Sequence, residues 1–382
     1  MKSVALLIET SNAYARALLD GILRYTRASI PWSLYVPEQE RGALPPSWIS
    51  QWQGDGIIAR IESEAIAERL SHLSIPMVDV SAARHAPSVP FVETNDARIA
   101  ELAVQHFVER GFQSFAYCGD PGFAWSNLRR DRFAERVSER GGTLHEFEST
   151  SRQSEAYSWN AENRKLGSWL RQLPKPIAIF TCYDIKAQQL LQACRDENIA
   201  VPESVAVLGV DNDQLLCELC TPPLSSIIPD AMQTGYQAAS LLDRMMAGQD
   251  VPPDGHLIDP LGVMTRQSTD VLAIDDSDVA IALQFIRENH WRGIDVSDVL
   301  AVSSLSRRVL DKRFRATIGR TPHQEIMRLR LDRVKRMLVE TELPVAEIAG
   351  RCGFENPEYM PVVFRRETGQ TPSGYRRSKL TH

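Results

Sequence analysis

A chain of 382 residues exceeds one ordinary core, so two or three domains are expected. The net charge of −6 is unevenly spread: Asp278 onward carries 19 Lys+Arg against 13 Asp+Glu, whereas residues 1–277 carry 24 against 36. Six scattered cysteines exclude a disulfide framework, and no apolar run reaches a membrane-spanning length.

An acidic body with a basic C-terminal segment fits an effector domain joined to a nucleic-acid reader. Only Lys2 precedes a short apolar run ending at Glu9, too short for a signal-peptide core, so a reducing cytoplasm is expected. Cys217-x-x-Cys220 is a lone pair without a second pair or nearby histidines, so neither a zinc site nor a cofactor is expected.

Along residues 1–268, short apolar runs alternate with amphipathic segments, the βαβ signature of a parallel sheet. Val4–Ile8 reads as a buried strand. Tyr14–Ala28 reads as a helix with Leu18, Ile22 and Tyr25 on one face. Strands follow at Trp32–Val36, Ile57–Ile61, Pro76–Val80 and Phe91–Glu93. Ala97–Arg110 reads as a helix capped by Asn95 or Asp96 and stopped by Gly111.

After Gly111 the pattern restarts. Strands are predicted at Phe115–Cys118, Leu144–Phe147, Ile177–Cys182 and Val205–Val210. Helices are predicted at Leu128–Arg140, Asn160–Leu173, Ile185–Asn198 and Thr234–Gly248, before final strands near His256–Val263. The restart predicts an α/β fold of two similar lobes with a ligand cleft at the carboxyl ends of their strands. Polar groups stand at those ends: Glu9, Ser11 and Asn12, then Arg60, Asp184 and Asp211-Asn212-Asp213. Carboxylates and amides in such a set suit a sugar, whose vicinal hydroxyls need acceptors and donors. Taken singly, each is equally well read as a helix cap or a solvated loop residue.

This region resembles the sugar-binding core of the LacI/GalR repressors and the periplasmic sugar-binding proteins. The resemblance rests on Ser126-Asn127-Leu128-Arg129, on Asp184, on Asp211 in LGVDND and on the ending MTRQST with Arg266 and Ser268. It implies a two-lobed periplasmic-binding-protein-like fold. It also implies ligand contacts from Arg129, Asp184 and Asp211, and further contacts are expected from Ser11, Asn12, Tyr14 and Arg16 in ETSNAYAR and from Asn212. Two departures stand out. The chain opens directly on its first strand, without the N-terminal helix-turn-helix of those repressors. Pro229 in SSIIPD replaces a common glutamine.

Residues 269–277 (TDVLAIDDS) lack periodicity and read as a linker, leaving 278–382 as an all-α domain. Here the chain repeats itself: FRATIGRTP from Phe314 and FRRETGQTP from Phe364 share Phe, Arg, Gly, Thr and Pro in register. Each copy reads as a helix-turn-helix. In the first, Val296–Val302 is the scaffold helix, Ser306 caps the second helix, and Leu305, Leu310 and Phe314 are its buried face. Arg307, Arg308, Asp311, Lys312 and Arg315 then face outward, on a helix sized for a major groove.

In the second copy, Val345–Cys352 is the scaffold and Gly353 makes the turn. Asn356 caps, Pro357 takes the first helical position, and Glu358, Tyr359 and Val362 face outward. Pro361, at the fifth position on that reading, is expected to distort the recognition helix locally or to lessen base contact from this copy. Thr321-Pro322-x-Gln324 opens a long helix between the copies. DNA contacts are expected from Ser306, Arg307, Arg308 and Lys312, and from Asn356, Glu358, Tyr359 and Val362, with most affinity in the first copy.

EIAGRCGFENPEYM and FRRETGQTPSGYRR make residues 280–378 similar to the AraC/XylS activators. A LacI-like core followed by such a reader resembles regulators of xylose catabolism, with ETSNAYAR, GDGIIA, VLGVDND and TGYQAASLL as supporting strings. The resemblance implies a nucleoid-associated homodimer that binds double-stranded promoter DNA, answers to D-xylose or a related sugar, and acts through RNA polymerase without a membrane partner. It further implies activation of xylose catabolism genes, with a repressor released by sugar, or a regulator responding to another pentose, as the alternative reading. A sugar-processing enzyme is the reading from another class, but no metal cluster or nucleophile constellation accompanies the carboxylates.

Overall fold

A computed structural model describes residues 1–29, 31–152, 154–270 and 276–380. The chain divides into two compact units, Met1–Asp270 and Val271–His382. Most of the expected linker, residues 271–275, lies outside the described residues.

The first unit opens with β1 (Lys2–Leu7), α1 (Ala13–Ala28), β2 (Trp32–Tyr35), β3 (Gly56–Ala59), α2 (Glu64–Leu70), β4 (Met77–Asp79), β5 (Phe91–Thr94) and α3 (Asp96–Val108). It continues through β6 (Phe115–Cys118), α4 (Ala124–Ser138), β7 (Leu144–Glu146), α5 (Trp159–Gln172), β8 (Ile177–Thr181), α6 (Asp184–Asp196) and β9 (Val205–Val210). It closes with α7 (Gln214–Leu219), β10 (Ser225–Ile228), α8 (Ala231–Met246), β11 (Gly255–Ile258) and β12 (Gly262–Met264).

Among the described residues the strands form two six-stranded sheets. The first, ordered β11-β5-β4-β3-β1-β2, is wholly parallel. The second, β12-β10-β9-β8-β6-β7, is parallel except for β12. Buried on both faces, these strands are continuous apolar runs such as Val205–Val210, as parallel sheets require.

The lobe change comes earlier than the expected restart at Gly111. Helix α3 packs on α4, β10 and β12, so the chain crosses between lobes just before Asp96. It crosses back between β10 and α8, where Pro229 stands, and a third time between β11 and β12. Helix α8 lies on α1 at backbone contact. A Cβ on Gly21 would fall 2.0 Å from the Met232 carbonyl oxygen, and one on Gly235 would fall 2.0 Å from that of Leu18. Only glycine allows that approach.

Helix α4 begins at Ala124, four residues ahead of its expected start, which brings Trp125 and Ser126 into its first turn. Helices α2 and α7, of 7 and 6 residues, carry too few apolar positions for a helical period to show in sequence.

The second unit contains α9 (Ser277–Asn289), α10 (Val296–Val302), α11 (Arg307–Ile318), α12 (Pro322–Glu340), α13 (Val345–Arg351), α14 (Tyr359–Thr368) and α15 (Pro372–Leu380). Two hydrophobic clusters hold it. Leu283, Ile286, Val299, Leu310, Phe314 and Ile326 form one, and Val334, Leu338, Ile348, Met360, Val363 and Phe364 the other. Helix α12 contributes to both. It opens with the expected capping box, in which Thr321 and Gln324 bond each other's backbone and Pro322 lacks an N–H that would go unpaired anyway. Among the described residues no helix is long and apolar enough to cross a membrane.

Candidate functional site

Charged groups gather where the strands of the first sheet end. Glu9, just beyond β1, accepts from Arg60 Nη1 at 2.5 Å, from Asn12 Nδ2 at 3.0 Å and from Arg41 Nε at 3.4 Å. Burial alone would push this carboxyl up, but Arg60, Arg41 and Asn12 hold it down at about 2. Arg60 reaches Glu62 with its other nitrogen, at 2.7 Å. Beneath them lie Asp79 and Glu93, both raised to about 7. Burial is the main cause in each, partly offset by hydrogen bonds at Asp79 and by Arg60 at Glu93.

The second sheet supplies the facing wall. Arg129 is buried; its Nε donates to Asp96 at 2.7 Å and its Nη1 to the Cys182 carbonyl at 2.6 Å. Phe123 and Trp125 stack with centroids 5.1 Å apart, and Tyr183 meets Trp125 edge-on at 5.4 Å. Burial raises the Asp211 carboxyl, against the pull of Arg129, Arg41 and Arg60, which come from both lobes. Trp125 Nε1 and Asn212 Oδ1 are buried without hydrogen-bond partners among the described residues. A donor and an acceptor left open beside aromatic rings and carboxylates are what a polyhydroxylated ring would satisfy.

The predicted sugar contacts separate into four groups. Arg129, Asp211 and Asn212 stand at this junction. Asn12 caps α1, accepting from Ala15 N at 2.8 Å while donating to Glu9. Ser11 is exposed, and Arg16 lies at the rim, bonded to the Thr10 carbonyl and 4.0 Å from Asp213 across the lobes.

Asp184 and Tyr14, expected as ligand contacts, lie underneath. The Tyr14 hydroxyl is buried against Glu93 Oε1 at 2.7 Å and Thr94 Oγ1 at 3.0 Å. Asp184 accepts from Ser226 Oγ at 2.6 Å, Asp213 N at 2.9 Å and Cys217 Sγ at 3.4 Å, which occupies both its oxygens. These bonds tie it to the next loop, where Asp211 and Asn212 have φ of 109° and 47°, a left-handed backbone uncommon outside glycine and visited chiefly by Asn and Asp.

Arg41 and the aromatic trio of Phe123, Trp125 and Tyr183 were missed. Arg41 sits in an irregular segment with no period to mark it. Phe123 and Trp125 flank the start of α4 at Ala124, four residues ahead of the expected start, and Tyr183 stands just before α6, far away in sequence.

The second unit carries the candidate nucleic-acid interface. On α11, Leu310 and Phe314 are buried while Arg307, Arg308, Lys312 and Arg315 are exposed. Ser306 takes the cap position but makes no side-chain cap bond, leaving its hydroxyl on the exposed surface. On α14, Met360, Val363 and Phe364 face in, while Tyr359 and Val362 are 48% and 66% exposed and Glu358 is exposed beside them.

The expected distortion at Pro361 is absent. Asn356 Oδ1 accepts from Glu358 N in a preceding turn, and the helix starts at Tyr359. Pro361 is therefore its third residue, where an amide would have had no intrahelical partner. Between the two helix-turn-helix elements, Arg330 of α12 donates from Nε to the His290 carbonyl at 2.8 Å and from Nη2 to that of Ile294 at 2.7 Å. Its guanidinium lies 5.9 Å from the Phe354 ring.

Comparison with known proteins agrees along the whole chain. Residues 3–97 match the XylR N-terminal domain, 104–269 a periplasmic binding protein-like domain, and 300–378 a helix-turn-helix domain. The xylose operon regulatory protein of Escherichia coli is 32% identical over 98% of this chain and 96% of its own length. That of Haemophilus influenzae is 34% identical over 98% and 97%.

A solved structure titled a xylose-binding transcription activator, XylR, superposes with a TM-score of 0.85 at 31% identity, covering 99% of this chain and 98% of that one. A periplasmic binding protein/LacI regulator from Alkaliphilus metalliredigens, in complex with D-xylulofuranose, shares the fold of the first unit at 17% identity and a TM-score of 0.56. It covers 70% of this chain and 99% of its own. With relatives aligned end to end across both units, this chain belongs to the family of xylose operon regulatory proteins.

Proposed function

We propose that this chain is a D-xylose-responsive transcription activator, with residues 1–268 as effector domain and 278–382 as DNA reader. The observation that carries the reading is the joining, in one chain, of an aromatic and ionic cleft with open polar atoms to two exposed recognition helices. In the cleft, Asp211 and Asn212 would accept and donate to sugar hydroxyls, Arg129 would hold the far side, and Trp125 would present its ring and Nε1. The relatives named for xylose support the choice of sugar.

On DNA, Arg307, Arg308 and Lys312 of α11 would reach base edges and phosphates, with Ser306 at the helix start. On α14, Asn356, Glu358, Tyr359 and Val362 would offer shape and apolar contact rather than charge. Helix α12 spans about 28 Å at 1.5 Å per residue, close to the ~34 Å turn that separates adjacent major-groove segments on one face. The chain would act as a homodimer at the nucleoid and contact RNA polymerase once bound.

Sugar can change DNA binding only by favouring one arrangement of the lobes over another, which makes the response a population shift. Calorimetry with D-xylose and other pentoses tests the effector, and promoter binding with and without D-xylose over a salt series tests the reader. Heat from D-xylose together with tighter, salt-sensitive DNA binding is expected. Weaker DNA binding with D-xylose would make the protein a repressor, and a flat D-xylose trace would retire that sugar.

A further inference from the structure

Among the described residues, charged contacts of two kinds span the lobes at the cleft. Arg16 and Asp213 are 4.0 Å apart with side chains 54% and 26% exposed, an arrangement that solvent screening leaves nearly neutral. Arg41 is different. Its side chain is 16% exposed, and its Nε is anchored on Glu9 of the first lobe at 3.4 Å. Its guanidinium carbon lies 5.8 Å from the Phe123 ring, 5.3 Å from Trp125 and 5.4 Å from Tyr183, all three in the second lobe and all buried. Asp211, also in the second lobe, feels its charge.

The geometry points to Arg41 as an interlobe latch, a positioning residue that sets how firmly the two lobes close on effector. A planar cation tied to a carboxylate on one side and set among three rings on the other makes its contacts only when the lobes are together. Parting the lobes would force it to give up the carboxylate or the rings. Arg41 therefore adds to the closed arrangement whatever ligand is bound, and apparent affinity scales with the closed fraction. The inference rests on reading the cleft as the effector site.

A latch and a direct sugar contact predict different things. Loss of a direct contact alters the order of preference among sugars, because each hydroxyl pattern uses it differently. Loss of a latch weakens all of them by the same factor and widens the distribution of lobe separations without any sugar.

The test uses the full-length chain and its Arg41→Ala and Arg41→Lys variants. Spin labels at Gln51→Cys in the first lobe and Arg164→Cys in the second, both exposed positions, report lobe separation by pulsed dipolar spectroscopy; the native cysteines are buried. Calorimetry with D-xylose, L-arabinose and D-ribose reports affinity.

Arg41→Ala is expected to leave the thermal transition in place, broaden the label distances toward longer values, and weaken every binding pentose by about tenfold or more. Arg41→Lys, which keeps the charge but not the plane, should fall between. Unchanged distances would overturn the latch, and so would a changed sugar ranking at unchanged distances. Should the unsubstituted protein give no heat with any of the pentoses, the effector reading fails, while the distance measurement still decides the latch.

Discussion

Gly353, in the turn of the second helix-turn-helix, lies directly against His290, which follows α9 just ahead of the first: a Cβ on Gly353 would fall 2.6 Å from the His290 main-chain oxygen. The same oxygen accepts from Arg330. Gly353 also has φ of +81°, so an added methyl is strained by its backbone as well as by its neighbour. Gly353→Ala is expected to lower the melting temperature of the second unit and to weaken DNA binding. Arg330→Met, which keeps the bulk against Phe354 but leaves the two carbonyls without their donor, should lose about 1–3 kcal/mol. Calorimetric melting of both variants checks this, and a wild-type transition for either would show that the two elements are set by α12 alone.

Asp184 and Asp211 are close in space but carry different loads. Asp184→Ala removes the acceptor for Ser226, Asp213 N and Cys217 at once, and should cost about 3 kcal/mol of stability along with sugar affinity. Asp211→Asn should abolish the heat of D-xylose binding with little change in melting temperature. The reverse pattern would exchange the roles assigned to them.

Asp79 gives stability a pH dependence of definite sign. Its folded value, about 7, lies above its ordinary value of 3.8, so the unfolded chain releases the proton first as pH rises. The stability it contributes is complete below about pH 4 and is lost as pH climbs through about 7. Asp79→Asn should match the wild type in melting temperature at about pH 4 and exceed it at about pH 8. A shallower slope from Glu93, raised in the same direction, should remain. A variant that melts lower at the higher pH would contradict the buried neutral acid.

On the reader, Arg308→Ala should cost about 1–3 kcal/mol of specific DNA binding and flatten the dependence on salt. Pro361→Ala should change helix stability by less than ~0.5 kcal/mol, because the third residue of α14 has no amide bond to regain. Anisotropy titrations over a salt series measure the first, and thermal melts the second.

Strands such as Val205–Val210 and helices with buried faces were legible because burial on both sides, or on one stripe, leaves a period in the residues. The doubled Phe-Arg-x-x-x-Gly-x-Thr-Pro exit gave the tandem readers, since each needs the same turn glycine and the same proline start. Less legible were features set by distance along the chain. Asp184 is expected at the ligand from its place at a strand end and from the resemblance, while the three donors that engage it come from residues 213, 217 and 226 and leave no local pattern. Arg41 had no local pattern at all, and its three rings come from residues 123, 125 and 183. Pro361 was misjudged through a start position two residues too early, which Asn356 encouraged by making an Asx turn instead of a cap.

The three passages of the chain between the lobes carry a consequence for how the first unit can be taken apart. The first sheet takes its edge strand β11 from near the end of the unit, and the second takes β12 from beyond that. No single cut therefore yields two self-sufficient halves: a fragment ending near residue 95 lacks both α8 and an edge strand. The lobes are braided rather than strung, so they should melt in one step. Three backbone strands side by side also act as a strap, letting the lobes bend toward each other while resisting rotation about the line that joins them.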